Sequence, residues 1–109
     1  MTRTSATVEQ VREGQEYFKK GMNLHEAKSF KEAIEIFKKC ALINPYDPAH
    51  VDELTRKLKQ GSYKLLQESV AYMGCAAVHL NKLIGELDDR QKEQVPLDPS
   101  LSKVFSDWE

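Results

Sequence analysis

The sequence predicts an all-α protein, and three observations carry that reading. Apolar residues recur at spacings of three and four through almost every strong segment, the period of a helix face. Helix-start signals stand just ahead of those segments: Thr7-Val-Glu-Gln10, Ser29-Phe-Lys-Glu32, Asp47-Pro48 and Asp98-Pro99. Breakers stand just behind them, at Asn44-Pro45, Gly61-Ser62 and Pro96. The chain has 109 residues, 40% of them hydrophobic, which suits one folded domain with a modest core.

The first helix opens on a capping box, Thr7 as the cap and Gln10 reaching back. Val8, Val11, Phe18, Met22 and Leu24 form its apolar stripe, and its end is expected near Glu26 or Lys28. The second capping box, Ser29 with Glu32, opens a helix whose face is Phe30, Ala33, Ile34, Phe37, Cys40 and Ala41. That helix must stop at Asn44, because the residue before a proline avoids helical geometry. Asp47 as a cap and Pro48 at the first helical position restart the chain, and Val51, Leu54 and Leu58 follow in register.

One helix from Pro48 to Glu93 would be about 69 Å long at 1.5 Å per residue, too long for so small a domain. The break is therefore placed at Gly61-Ser62, and a long fourth helix is expected from Ser62 to about Gln91. Within it Leu66, Val70, Met73, Ala77, Leu80, Ile84 and Leu87 alternate spacings of four and three, a heptad-like seam. Such a seam serves either the core of a bundle or the pairing of two chains. Beyond Pro99, Leu101, Val104, Phe105 and Trp108 fall on one stripe, so a short amphipathic helix is expected over 99–108.

The formal net charge is −1, from 16 basic and 17 acidic residues, a balance that argues against a nucleic-acid or membrane surface. The densest basic group, Arg56, Lys57, Lys59 and Lys64, reads as a solvated helix face. No run approaches the ~20 apolar residues of a membrane span. The start, MTRTSATVEQ, lacks the apolar stretch of a signal peptide. Cys40 and Cys75 lie in apolar helical patterns and read as buried free thiols. Together these features point to the cytoplasm or nucleus.

Chemistry is sparse. His25, His50 and His79 are far apart in sequence, and neither cysteine has a metal-binding spacing, so neither a metal nor a cofactor is expected. Cys75 and His79 share a helix face at i, i+4, but no third group orients them; a buried thiol beside a histidine is the better reading. No catalytic residue is assigned, and an enzyme is not expected.

An internal repeat supplies the functional expectation. Ser29-Phe30-Lys31 recurs 33 residues later as Ser62-Tyr63-Lys64. The stretch GMNLHEAKSFKEAIEIFKKCALINP resembles a tetratricopeptide repeat. Gly21 stands where the small residue of the first helix belongs. Phe30 takes the aromatic position after the turn, Ala33 the small residue between helices, Phe37 the large one a turn on, and Pro45 the closing proline. Tyr17 stands at the bulky position, while Lys20 replaces an expected leucine and Cys40 an expected alanine. A clear repeat covers about 14–47 and a degenerate one about 48–80, where Leu66 takes the place of a small residue. The resemblance implies a flexible lead at 1–6, a repeat-like helical domain at 7–93, and a tail at 94–109 whose short helix caps the stack.

It also implies an adaptor that binds a peptide or helix of a partner protein. The groove of the first helix would be lined by Gln15, Phe18, Met22 and His25. Chaperone-binding members of the family clamp a terminal carboxylate there with Lys and Asn. The matching positions here are Phe18 and Met22, so the clamp is absent. The band from Ser69 to Asn81 holds no Asp, Glu, Lys or Arg, and as the last helix of a stack it would need a cover. The chain's own tail, anchored by Leu101, Val104, Phe105 and Trp108, a second copy using the Leu66–Leu87 seam, or a partner helix could each supply it. Two alternatives stand beside the adaptor: a homodimerisation module, and a three-helix module of the microtubule-interacting-and-transport type, which grips tail helices.

Overall fold

The computed structural model describes residues 6–44 and 48–107. Six helices follow in order: α1 (Val8–Glu26), α2 (Phe30–Ala41), α3 (Pro48–Gln60), α4 (Leu65–Gly85), α5 (Asp89–Gln94) and α6 (Pro99–Asp107). There is no strand among the described residues. The radius of gyration, 13.8 Å, is close to the ~13 Å of a compact chain this long.

Local signals set most helix starts. The α1 box forms as the sequence requires: the Gln10 N–H donates to Thr7 Oγ1 over 3.1 Å, and the Thr7 N–H to Gln10 Oε1 over 3.0 Å. At α2 the box does not form. Lys28 takes a left-handed φ of 65°, and Ser29 sits at ψ 62° instead of the extended geometry that aims a cap hydroxyl at the helix. The Ser29 N–H donates to the Leu24 carbonyl across the turn. Ser29 thus closes α1 as much as it opens α2.

The fourth helix is shorter than its pattern suggests. It begins at Leu65, after a turn over 61–64, and stops at Gly85 instead of reaching Gln91. The reason lies just beyond, where Asp88 and Gln91 make a reciprocal capping box that starts α5 afresh. The tail helix forms over Pro99–Asp107. Trp108 and the side chain of Phe105 lie outside the described residues, as do Pro45 and Asp47. Of the expected flexible lead, only Ala6 is described, and it is buried.

Three helices make the core. α1 packs on α2, and α4 packs on both. The sense of each crossing can be read from its contacts. Between α1 and α2, Gly14 faces Cys40, Gly21 faces Phe37 and His25 faces Phe30, so the two run antiparallel. Gly14 faces Leu80 and His25 faces Ser69, so α4 runs antiparallel to α1. Lys38 lies over Tyr72, and His79 Nε2 donates to the Ile43 carbonyl just after α2, so α4 runs parallel to α2.

Small residues permit these approaches. A Cβ on Gly21 would come within 2.5 Å of the Phe37 ring, and one on Gly14 within 2.7 Å of Leu80 Cδ1. Ala33, Ala76 and Ala77 are fully buried beside Phe18, Phe37, Leu80 and Leu83. The Phe18 and Phe37 rings meet tilted, centroids 5.7 Å apart.

This packing answers what covers the uncharged band. Tyr72, Met73, Cys75, Ala76, Ala77 and Leu80 are buried, because α4 lies against α1 and α2 of its own chain. The tail takes a smaller share: α6 touches α4, Leu101 is buried and Val104 packs at the edge of the same core. Lys19 on α1 meets Asp98 at the start of α6 over 3.1 Å. α3 stands apart from this arrangement. Among the described residues it does not pair with α4 as α1 pairs with α2. Among its described side chains Leu58 is buried, Leu54 packs at the core's edge, and Thr55 Oγ1 hydrogen-bonds the Tyr72 hydroxyl over 2.7 Å.

Candidate interaction surface

The groove expected on α1 is not an open apolar channel. Phe18 has no exposed surface and belongs to the core, and Gln15 is buried. Met22 and His25 are half-buried. The His25 ring meets Phe30 edge-on, and its Nδ1 lies 2.8 Å from Oγ of the fully buried Ser69. His25 is thereby a strut between α1 and α4. Phe18 and His25 of that face are turned instead toward α2 and α4, and Gln15 lies beside the 94–96 segment.

The heptad seam divides. Met73, Ala77, Leu80 and Leu87 are buried and Ile84 is half-buried, so its C-terminal part is core. Leu66 is 49% exposed and Val70 37%. Beside them Tyr63 is 51% exposed and Leu65 49%. Four large apolar side chains thus gather at one end of α4, two of them one helical turn apart. Scattered exposed apolar residues are ordinary on a protein surface; a contiguous group is the feature that needs a reason.

A groove of about 220 Å³ adjoins this group, between α2, α3 and α4. Ile34, Leu58, Leu65 and Tyr72 supply its apolar lining. Lys31, Lys38, Lys59, Glu35 and Glu68 supply its charges. Lys38 is engaged, 3.8 Å from Glu35 and 5.2 Å from the centre of the Tyr72 ring. Lys31 and Lys59 have no ion-pair partner among the described residues, and Lys64 stands exposed at the head of α4. Uncommitted charge here is therefore mainly positive, with Glu68 the exception.

The sequence pointed to Leu66 and Val70 but missed Tyr63, Leu65, Leu58, Tyr72 and Lys31. A signal for the first two was present: Tyr63 and Leu65 follow the Gly61-Ser62 breaker at the start of a helix, where no earlier turn can cover them. The others come together only through the packing of α3 over α2 and α4.

The thiols offer little nucleophilic chemistry. Burial pushes the Cys40 thiol up to about 12, and nearby Cys75 adds to the rise. Burial also raises Cys75, against a smaller opposing effect from Lys82. His79 is held by the Ile43 carbonyl. Among the described residues no three His, Cys, Asp or Glu side chains are grouped to hold a metal ion, and no helix is long and apolar enough to cross a membrane. Comparison with protein-family models, with characterised proteins and with solved structures gave no match.

Proposed function

We propose that this chain is a protein–protein interaction module whose partner is an amphipathic helix with acidic residues flanking its apolar face. One observation carries the reading: Tyr63, Leu65, Leu66 and Val70 are all exposed at or just before the start of α4, and Leu65 among them lines the α2–α3–α4 groove. Leu66 and Val70, at i and i+4, offer a ridge against which the apolar face of another helix can lie. Lys31, Lys59 and Lys64 around it favour acidic flanks, which would fix register and speed association more than they add affinity.

The tetratricopeptide resemblance supports the same class of activity. Gly21 against Phe37, with Ala33 buried nearby, is the close packing that such a helix pair needs. On this reading the partner surface is the start of α4 and not the inner face of α1, and no terminal-carboxylate clamp is involved. The microtubule-interacting-and-transport alternative gains less support. A three-helix module of alternating direction would run its third helix with α1, whereas α4 runs against it.

The test uses two designed amphipathic helical peptides with the same apolar face, one flanked by glutamates and one by lysines, titrated into the isotope-labelled full chain. The glutamate-flanked peptide is expected to shift amide signals around Lys31, Leu65, Leu66 and Val70, and Leu66→Asp to remove the shifts. No shift with either peptide, or shifts confined elsewhere, refutes the proposal. A mass in solution that doubles with concentration, and falls back in Leu66→Asp, would instead assign the same ridge to a homodimer.

A further inference from the structure

Helix α3 lies on a face of the bundle that it covers narrowly. From Asp52 to Gln60 the side chains of Leu54, Thr55 and Leu58 are buried or half-buried, and the others are exposed. These three fall at i, i+1 and i+4, one narrow stripe of the helix. Leu54 packs against Ala41 of α2 and Cys75 of α4, and Leu58 joins the main core. Thr55 Oγ1 meets the Tyr72 hydroxyl over 2.7 Å. Beside these contacts the groove of about 220 Å³ stays unfilled, with Thr55, Leu58 and Lys59 on one wall and Ile34, Leu65 and Tyr72 facing them.

The grip of α3 is weak in kind as well as in extent. Its ion pair is internal, Glu53 with Lys57 over 3.6 Å at the surface. Among the described residues no ion pair joins α3 to α2 or α4. Irregular backbone bounds it at 42–44 and at 61–64. A helix of thirteen residues is marginal by itself in water, so α3 depends on the few contacts it makes. Elements with few buried apolar contacts are the first to open locally. α1, α2 and α4 pack on one another directly and do not need α3 between them.

What α3 covers has the form of a trough. α2 and α4 run parallel here, Ile34 and Ala41 standing on one and Tyr72 and Cys75 on the other. A trough between two helices is a seat for the apolar stripe of a third. α3 shows which stripe suits it: leucine-sized groups at i and i+4, and a hydroxyl at i+1 to meet Tyr72. The unfilled groove shows that α3 does not exhaust it. A helix of the same pattern with bulkier side chains toward Ile34 and Leu65 would fill more of the space.

We infer that α3 is a cover that opens as a unit from the packed α1–α2–α4 core, and that the trough beneath it, walled by Ile34, Ala41, Tyr72 and Cys75, seats one helix of a partner protein carrying α3's pattern. Tyr72 and Cys75 lie on another side of α4 from Leu66 and Val70. The seat stands whether or not that ridge binds a helix.

The two cysteines supply the test. Cys75 lies in the small cluster that Leu54 packs against, whereas Cys40 is closed off between α1 and α2, its thiol donating to the Gly14 carbonyl over 3.5 Å. The full chain is treated with iodoacetamide in native buffer, and mass spectrometry identifies the alkylated thiol. Cys75 is expected to react at least about tenfold faster than Cys40, since local opening costs less than global unfolding. Tyr72→Phe removes the hydroxyl that holds Thr55 and keeps the ring. Cys75 should then react about fivefold faster, the loss of one net hydrogen bond, with Cys40 unchanged. Leu58→Asp should hold α3 off the trough, leaving Cys75 reactive and Cys40 protected. A blocked peptide of residues 48–60, added at roughly the millimolar concentration that a short tether supplies, should restore protection of Cys75 saturably. The same peptide carrying Leu58→Asp should not. Leu58→Ala serves in its place if Leu58→Asp opens Cys40 as well. A common rate for the two thiols, or no change at Cys75 in Tyr72→Phe, overturns the inference, because α3 would then not open by itself. It is overturned too if the parent peptide leaves Cys75 reactive at every concentration, since the trough would then receive no helix.

Discussion

The two ends of α4 carry the same pattern and meet different fates. From Leu66 to Leu87 the apolar residues keep one spacing of four and three. Toward the C-terminal end they are largely sealed in: Ala77 and Leu80 have no exposed surface, Leu87 is buried and Ile84 half-buried. Toward the N-terminal end Leu66 and Val70 face outward. What differs is the neighbour. Gly14 lets α1 approach Leu80 closely, whereas Leu66 lies above the level at which α1 ends in the His25–Ser69 contact. Periodicity places residues on a face, but the length and position of the neighbouring helices decide how much of that face is covered.

The contrast is sharpest in a pair of truncations. Leu80→Ala removes a side chain closed in against α1, so lost transfer energy and a residual cavity both count, and unfolding should be easier by about 2–5 kcal/mol. Leu66→Ala gives up contacts that water already shares, and a surface change of this kind should stay within about 0.5 kcal/mol. Urea denaturation of both variants against the parent checks this. Equal losses would mean that the head of α4 is as buried as its middle, and the exposed ridge would be an error.

How far the sequence was legible follows the range of the forces involved. The α1 cap was readable because Thr7 and Gln10 act on backbone three residues away. The breaks at Asn44-Pro45 and Gly61-Ser62 were readable because proline and glycine act on their own dihedrals. The Ser29 box was misleading, since the left-handed Lys28 beside it sets a turn in which the hydroxyl is misaimed. Packing partners were less legible. Phe18 stands both on the apolar stripe of α1 and at a groove position that the tetratricopeptide resemblance implies, and an apolar stripe does not say whether chain or ligand will cover it. Gly14 carried no sign that Leu80 would meet it. Val51, Leu54 and Leu58 announced a helix without announcing that it would stand at the edge of the bundle. Gln15 was singled out for its place on the α1 face; its burial beside the α5–α6 connection comes from tertiary packing alone.

Between the two ends of α4 lies Cys75, with Cys40 opposite on α2, and their thiols give a smaller test of how dry the closed part is. The Cys40 thiol is pushed from an ordinary 9.0 up to about 12, so the folded chain holds its proton where the unfolded chain has lost it. Stability from this group is therefore fully present below pH 9 and is lost as pH rises from there toward about 12. The slope should be on the order of 1 kcal/mol per pH unit over that window. Denaturant melts at stepped alkaline pH should show the decline, and Cys40→Ala should flatten it. A slope unchanged in the variant would mean that water reaches the thiol.

The smallest expected effect on stability belongs to Leu66→Asp, and the largest expected effect on binding belongs to the same substitution. At 49% exposure the new carboxylate keeps most of its hydration, so the melting temperature should barely move. The charge nevertheless sits on the ridge that a partner's apolar face must cover, where docking would strip its water. An unpaired charge buried in that way costs several kcal/mol, enough to abolish an interaction of moderate strength. Its sign matters too, because it repels the acidic flanks that Lys31, Lys59 and Lys64 favour. Leu66→Lys makes the control: it places a charge of the opposite sign on a longer apolar stem that can reach around a docked helix. The aspartate variant should lose the glutamate-flanked peptide completely and the lysine variant only in part, both with the parent's melting curve. If both variants bind as the parent does, the head of α4 is a bare surface with no helix to receive, and the difference between its two ends is one of packing alone.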